Sequence, residues 1–189
     1  MIQPLTTLTA VKAYLEVTGT DDDALLTDLV ARASDAIVAY CGRAFAAADY
    51  DECHDGDGSD IVLLDQRPVI SVSALSEDDD AVEADDFVVY PELGIVRLKS
   101  GVFGRGVRNV RVSYRAGHET IPADVEQAAI EWVAAMYRAR GEVAGRDVSS
   151  ERVGDYAVTY ERDARDGMPA AARAVLEPYR VVLARAVQE

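Results

Sequence analysis

The spacing of apolar residues changes twice along this chain, and that change restricts the possible folds more than any other feature. Apolar positions recur every three or four residues over 1–48, tend to alternate with polar ones over 49–117, and return to the longer spacing over 118–189. Helices bury a stripe of such a longer repeat, whereas strands bury every second side chain. We therefore predict an α+β fold that is mainly a helical bundle of about four helices, with a small antiparallel β-sheet subdomain inserted between the second and third long helices.

Four segments carry the helical spacing. The first is "LTAVKAYL", and the second follows the "GTDDD" break, whose aspartates can serve as N-caps, and should end near Gly42. The third should open at Pro122, because proline suits the first turn of a helix. The fourth runs from Pro169 to Leu183, and Pro178 within it lacks an amide hydrogen, so we expect a kink or break there.

The central segment has the signature of β-hairpins. The runs "FVVY" and "GIVRL" flank the turn sequence "PELG". Alternation of apolar and polar residues is typical of strands with one buried face. It occurs at Ile70, Val72 and Ala74 and again at Val110, Val112 and Tyr114. We predict a sheet of antiparallel hairpins between Tyr50 and Tyr114.

The length and apolar content of the chain predict one compact unit. With 189 residues, 49% of them apolar, it can bury one core, or one core with a smaller satellite. We expect a single domain made of N-terminal helices (1–48), an inserted β-rich subdomain (49–117) and C-terminal helices (118–189) with a loop or strand segment near 141–160. No targeting segment or membrane span is predicted, and two cysteines are too few for a disulfide framework, which favours synthesis in the cytoplasm.

The stretch "DYDECHDGDGSD", residues 49–60, has the composition of a metal site but not its spacing. A calcium loop starting at Asp55 would need glycine at its sixth position and glutamate at its twelfth, where the chain has Asp60 and Gln66. Cys53 and His54 are adjacent and would point to opposite faces of a strand. We predict no metal site, and interpret the stretch as two strands, "YDECH" and "IVLLD", joined by a turn.

The net negative charge of the chain lies in its first 100 residues. Residues 1–100 hold 6 basic and 21 acidic side chains, whereas residues 101–189 hold 13 of each. Gripping duplex DNA requires lysines and arginines that displace counterions from phosphates. The first half is therefore not expected to bind DNA, because an acidic surface keeps a protein in solution and repels DNA.

Catalytic patterns are weak. Ser113, His118 and Asp124 could form a triad on paper, but no nucleophile-elbow sequence accompanies them. His118 precedes a helix and could act as a general base, although an ordinary loop histidine is the commoner case. The run "GVFGRG", residues 101–106, lacks the order of a phosphate-binding loop and is interpreted as a hairpin turn. We predict no catalytic residues.

Several segments together resemble a known family. In chain order these are "LTTLTAVKAYLEV", "LLTDLVARASDAIVAYCGRAF", "RPVISVSAL", "VRVSYRAGHETIPADVEQAAIEWVAAMY", "SERVGDYAVTYE" and "LEPYR". They look like the head-tail connector proteins of tailed bacteriophages, also called adaptor or head-completion proteins, and the resemblance covers most of the chain. His118 departs from it, because similar sequences more often have an aromatic residue there.

The resemblance implies a structural protein of the virion neck rather than an enzyme, with no cofactor. It implies a homo-oligomeric ring of twelve copies, assembled in the host cytoplasm, that docks on the portal protein and extends the DNA channel. The further partners are the next neck or tail-completion protein and DNA that passes without sequence-specific binding, with no membrane. Subunit and portal contacts are expected at Glu151, Arg152, Val153, Gly154, Asp155, Tyr156, Val158, Tyr160, Pro178, Tyr179 and Arg180.

Two alternatives remain from the residues themselves. A small cytoplasmic hydrolase would have a pocket around a perturbed His118. An acidic calcium-binding module would gain stability when calcium is added.

Overall fold

A computed structural model describes residues 3–143, 150–153, 156–159 and 167–181, and the side chains of 3–140 and 167–181. The described part contains four helices and nine strands. The helices are α1 (Leu8–Leu15), α2 (Asp23–Cys41), α3 (Ala123–Val143) and α4 (Ala170–Leu176). The strands are β1 (Ala48–Gly56), β2 (Ile61–Leu63), β3 (Val69–Glu77), β4 (Asp80–Ala81), β5 (Phe87–Tyr90), β6 (Ile95–Leu98), β7 (Gly106–Ala116), β8 (Ser150–Val153) and β9 (Tyr156–Thr159).

The chain divides into two compact units. One combines Met1–Gly42 with Pro122–Glu189, and the other is Arg43–Ile121. The first contains all four helices and the hairpin of β8 and β9, and the second contains β1–β7. Within the described residues, no helix has both the length and the apolarity to cross a membrane.

The helical unit follows the predicted apolar stripes. The Thr7 side chain caps α1 by accepting a hydrogen bond from the Ala10 amide at 3.2 Å. The helix α2 ends where Gly42 takes a left-handed φ of 66°, as predicted. Trp132 of α3 is buried. The buried stripe of α2 comprises Leu26, Leu29, Val30, Ala33, Ser34, Ile37 and Cys41.

The first turn of α2 differs from the prediction in how its aspartates act. Asp22 stands at the N-cap, but its side chain makes no capping hydrogen bond. Its carboxylate instead accepts hydrogen bonds from Tyr137 at 2.7 Å and Arg140 at 3.4 Å, both on α3. The bond from Tyr137 is the main reason that the pKa of Asp22 is lowered. This aspartate therefore connects two helices rather than capping one.

The β-rich unit is built from two antiparallel sheets with a common core. The larger sheet has the strand order β1-β7-β3-β4 and the smaller one β2-β6-β5. In β7 the predicted alternation is confirmed, since Val110, Val112 and Tyr114 are at most 2% exposed. The core residues are Val62, Leu64, Val69, Leu75, Val96, Phe103, Val110, Val112, Tyr114 and Ala116.

The prediction of a mainly helical bundle is wrong. The fold is α+β, but strands dominate the central region and form two sheets rather than one small subdomain of hairpins. The physical reason is that the central residues supply their own buried core, so they do not need a helical bundle to cover them. Apolar periodicity reports the type of each element but not which elements cover one another.

Two predicted hairpins are also wrong, because the chain changes sheets where a turn back was expected. β1 pairs with β7, whereas β2 pairs with β6, so the 57–60 stretch joins two sheets. The connection from β6 to β7 makes the same change. The two connections lie side by side, since the Phe103 amide donates to the Ser59 carbonyl at 2.8 Å. Only the hairpin of β5 and β6, around "PELG", forms as predicted among these three.

Candidate interface

Five of the predicted contact residues lie in a two-stranded hairpin. β8 and β9 pair antiparallel, with Val153 opposite Tyr156 and Glu151 opposite Val158. The strand at Tyr156–Thr159 is confirmed, but the polar connection before it contains a second strand that the sequence did not predict. The five residues are Glu151, Arg152, Val153, Tyr156 and Val158, whereas Gly154, Asp155 and Tyr160 lie outside the described residues.

The other three predicted contact residues lie where the last described helix ends. The helix α4 stops at Leu176, and a single 3-10 turn, Glu177–Tyr179, follows with Pro178 inside it. Arg180 is extended, with φ of −65° and ψ of 133°. The break predicted at Pro178 is confirmed, and the α-helix ends earlier than the predicted Leu183.

This C-terminal segment is fastened to its own helical unit by polar contacts. The Tyr179 hydroxyl donates to both carboxylate oxygens of Asp124, at 2.8 and 3.0 Å. Glu177 accepts from the Tyr40 hydroxyl at 2.6 Å and pairs with Arg180 at 3.0 Å. The Arg180 guanidinium also lies 5.1 Å from the centre of the Tyr40 ring. These contacts attach the segment to α2 and α3.

The electrostatics of this cluster agree with its geometry. The hydrogen bond from Tyr40 is the largest cause of the lowered pKa of Glu177. The same bond is the largest cause of the raised pKa of Tyr40. Pro178 and Arg180 remain exposed beside this anchor. The segment thus combines an anchored backbone with two exposed side chains.

The stretch 49–60 places its acidic residues along a strand and a connection. The His54 ring nitrogen Nε2 lies 3.1 Å from a carboxylate oxygen of Glu52, its neighbour but one in β1. Asp57 accepts from the Ser59 amide at 2.8 Å, which closes a local turn. Within the described residues, no three His, Cys, Asp or Glu side chains are grouped so that they could hold a metal ion.

His118 and Asp124, which were considered for catalysis, make hydrogen bonds within their own units. The His118 backbone bridges to the 45–47 segment, through its amide to the Phe45 carbonyl at 2.7 Å and its carbonyl to the Ala47 amide at 3.0 Å. The Asp124 carboxylate accepts from Tyr179 in the helical unit, as described above. A shallow depression of about 350 Å³ lies over β1, β7 and β3, and no histidine lines it. Its lining is Asp49, Tyr50, Asp51, Ser71, Ser73, Ser113, Tyr114 and Arg115.

Comparison with known proteins gives one family and a consistent set of folds. The family model described as "Head completion protein" matches residues 4–182. No curated protein matches the sequence significantly.

Three solved structures resemble the chain across nearly its whole length. The first, from the neck of an empty gene transfer agent (GTA) particle computed with C6 symmetry, has a TM-score of 0.61 at 19% identity and covers 97% of this chain and 96% of its own. The second, from the virion of a native GTA particle, has a TM-score of 0.58 at 20% identity, with coverages of 93% and 89%. The third, from a native GTA neck computed with C12 symmetry, has a TM-score of 0.57 at 19% identity, with coverages of 97% and 96%. At these identities the likeness establishes a shared fold.

Proposed function

Because the chain belongs to the head completion protein family, we propose that its copies form a ring in the neck of a virus particle, docked on the portal, where they extend the DNA channel and join head to tail. The family consists of structural virion proteins, so the predictions of a connector, of a virion location and of a protein that is not an enzyme are confirmed. The single observation that carries the proposal is the family match over residues 4–182, which includes every described helix and strand.

The ring is supported by the symmetry of the structures that share the fold. Two of these come from GTA necks computed with C6 and C12 symmetry. A subunit in a cyclic ring contacts its neighbours through two different patches, one on each side. We propose twelve copies, each offering one patch to the next subunit and a further surface to the portal.

The contact surfaces are proposed at the hairpin and at the C-terminal segment. Tyr156 and Val158 of β9 supply an aromatic and an apolar residue, which are common anchors in protein interfaces. Pro178 and Arg180 are exposed on a segment that Tyr179 and Glu177 already hold in place. A preorganised segment loses less conformational entropy when it binds. The portal and the next neck or tail-completion protein are the proposed partners.

The charge distribution supports a channel that passes DNA without holding it. The first 100 residues hold 21 acidic and 6 basic side chains. The carboxylates among them that face the lumen would repel DNA phosphates. Screening limits this repulsion to about 8 Å at physiological salt, so it acts on DNA close to the wall. Sequence-specific binding to the passing DNA is not proposed.

The test is a double substitution in the hairpin, Tyr156→Ser with Val158→Ser. We expect the isolated subunit to stay folded by circular dichroism and thermal melting, and particles to package DNA but leak it, because the ring does not form. Thr159→Ala, in the same strand but outside the predicted contact set, is the matched control and should give normal particles. Normal infectious particles from the double variant would contradict this interface, and an unfolded subunit would assign the hairpin to the subunit core.

A further inference from the structure

The hairpin of β8 and β9 forms a sheet of its own. Its two strands pair with each other, and no other strand that the structure describes extends the sheet on either side. Among the described elements, no helix packs extensively against either strand. A two-stranded hairpin by itself is marginally stable in water and gains stability from a further strand or a covering helix. A strand supplied by another molecule would complete this sheet.

The register of the hairpin shows which of its backbone groups are left unpaired. Val153 lies opposite Tyr156 with two residues between them, so this closing pair exchanges the hydrogen bonds of a tight turn. Along an antiparallel ladder, hydrogen-bonded pairs alternate with pairs whose amide and carbonyl groups point away from the partner strand. The outward-pointing pairs are therefore Arg152 with Ala157 and Ser150 with Thr159.

The two outer edges of the hairpin differ from each other and match in length. We call the outward groups of Ser150 and Arg152 the β8 edge, and those of Ala157 and Thr159 the β9 edge. Each strand has four residues, so each edge presents the N–H and C=O groups of two residues. An unpaired strand edge is a template for another strand. A cyclic ring needs a contact of this kind, between two different patches of the same subunit.

We propose that the β9 edge of one copy pairs antiparallel with the β8 edge of the next copy. The proposal rests on the ring put forward above and names one of its subunit contacts. Because successive strands then alternate in direction, the contact repeats around the ring and closes into an up-and-down barrel that encircles the channel. A second copy fits because it supplies both halves of the contact, whereas a single strand of another protein leaves one edge of each hairpin open.

The dimensions of such a barrel agree with a channel for DNA. Twelve copies, the number proposed above, contribute 24 strands, because each hairpin has two. With neighbouring strands about 4.8 Å apart, the barrel is at least about 37 Å across. Strand tilt widens it further, and barrels of only about 16–18 strands already enclose a water-filled channel. The closed hairpins therefore leave room for duplex DNA.

Single cysteines test the contact without removing any backbone group. One residue of the β8 edge or of the β9 edge is changed to cysteine in a chain whose partly exposed Cys53 is replaced by serine. We expect disulfide-linked dimers in particles that contain an equal mixture of a β8-edge and a β9-edge variant. Particles with either variant alone should contain none, because like edges do not meet. The substitutions are Ser150→Cys, Arg152→Cys, Ala157→Cys and Thr159→Cys.

Val107→Cys is the control for chance collisions, because its side chain is 84% exposed and lies in the β-rich unit, outside the hairpin. Mixed with a β9-edge variant, it should give no dimers. All particles are compared after the same oxidation, by electrophoresis without reducing agent.

Proline tests the backbone groups themselves. Ala157→Pro removes an outward N–H that the ladder inside the hairpin does not use, so we expect an unchanged circular dichroism spectrum and the loss of the neck ring. Ala157→Val keeps the N–H and is the matched control, which should form a normal ring. If Ala157→Pro does not fold, the cross-linking decides by itself.

Three results would overturn the proposal. These are the absence of dimers in every mixture of the two edges, equally abundant dimers in particles with one variant alone, and a normal neck ring built from folded Ala157→Pro. In each of these cases the chain is still present in the neck, so the proposed function stands while this contact is wrong. If the unmodified chain is absent from the neck, the proposed function itself fails.

Discussion

Tyr114 shows at the scale of one residue how the β-rich unit holds a polar group in its core. The side chain is 2% exposed, and its hydroxyl donates to Glu52 and accepts from the Gln66 amide at 3.1 Å. Its ring lies 5.5 Å from that of Tyr50. Burial is the main reason that the pKa of Tyr114 is raised, followed by the hydrogen bond to Glu52. The residue thus joins β7 to β1 and to the segment before β3.

We predict that Tyr114→Phe destabilises the fold by about 1–3 kcal/mol, because it leaves a partly buried carboxylate and an amide without this partner. Urea denaturation measures the change. Tyr50→Phe is the matched control, since Tyr50 belongs to the same aromatic pair but its hydroxyl makes no hydrogen bond to the described residues around Tyr114. Equal effects of the two substitutions would show that the hydrogen bonds contribute nothing specific.

The raised pKa of Tyr114 predicts that the stability of the fold depends on pH in the alkaline range. A tyrosine with a raised pKa stabilises the fold fully below its unfolded value of about 10, and this stabilisation is lost as the pH rises through the folded value. The free energy of unfolding should therefore fall above about pH 10, and fall less in Tyr114→Phe. An identical decline in both proteins would contradict the assignment.

At the scale of elements, the C-terminal segment is held to α2 by one backbone hydrogen bond and by side-chain contacts. The Val181 amide donates to the Cys41 carbonyl at 2.8 Å, next to the cluster of Tyr40, Glu177 and Arg180. This segment carries part of the proposed contact surface, so the proposal requires it to be ordered in the free subunit.

We predict that Tyr40→Phe increases the hydrogen-exchange rate of the Val181 amide, because Glu177 loses the hydroxyl that helps to fix the 3-10 turn. Tyr14→Phe, on the exposed side of α1, is the control and should leave that rate unchanged. Unchanged exchange in Tyr40→Phe would mean that the segment is held by other contacts, such as that between Tyr179 and Asp124.

The connection between β1 and β2 predicts no response to calcium. The frame from Asp55 to Gln66 lacks the turn glycine and the closing glutamate, and Asp57 already accepts from the Ser59 amide. Millimolar calcium should leave the melting temperature unchanged, whereas a filled site would raise stability by RT ln(1 + [L]/Kd). A rise of several degrees would show that the connection binds calcium.

The sequence predicts elements better than it predicts how they pair. The bounds of α2 follow from its apolar repeat and Gly42, and the strand at Tyr156–Thr159 follows from its residues. Pairing depends on distant partners, which is why β1 and β2 were wrongly joined as a hairpin. In β3 two register shifts interrupt the alternation and leave Ile70 41% exposed.

At the scale of the whole molecule, the family assignment was reached from ordered segments rather than from a catalytic motif. The resemblance is confirmed, because the family model matches residues 4–182. The predicted contact residues stay a prediction, since interface side chains are selected by a partner that the chain's own folding does not require.

The most direct test of the central claim is an electron-microscopy reconstruction of the neck of particles from the genome that encodes this chain. We expect a ring of copies of this fold next to the portal, surrounding the DNA channel, with each copy accounting for the two antiparallel sheets and the helical unit. The density should be absent from particles made without the gene, and those particles should lose their DNA. A neck with no copy of this fold, or particles that keep their DNA and attach tails without it, would contradict the account.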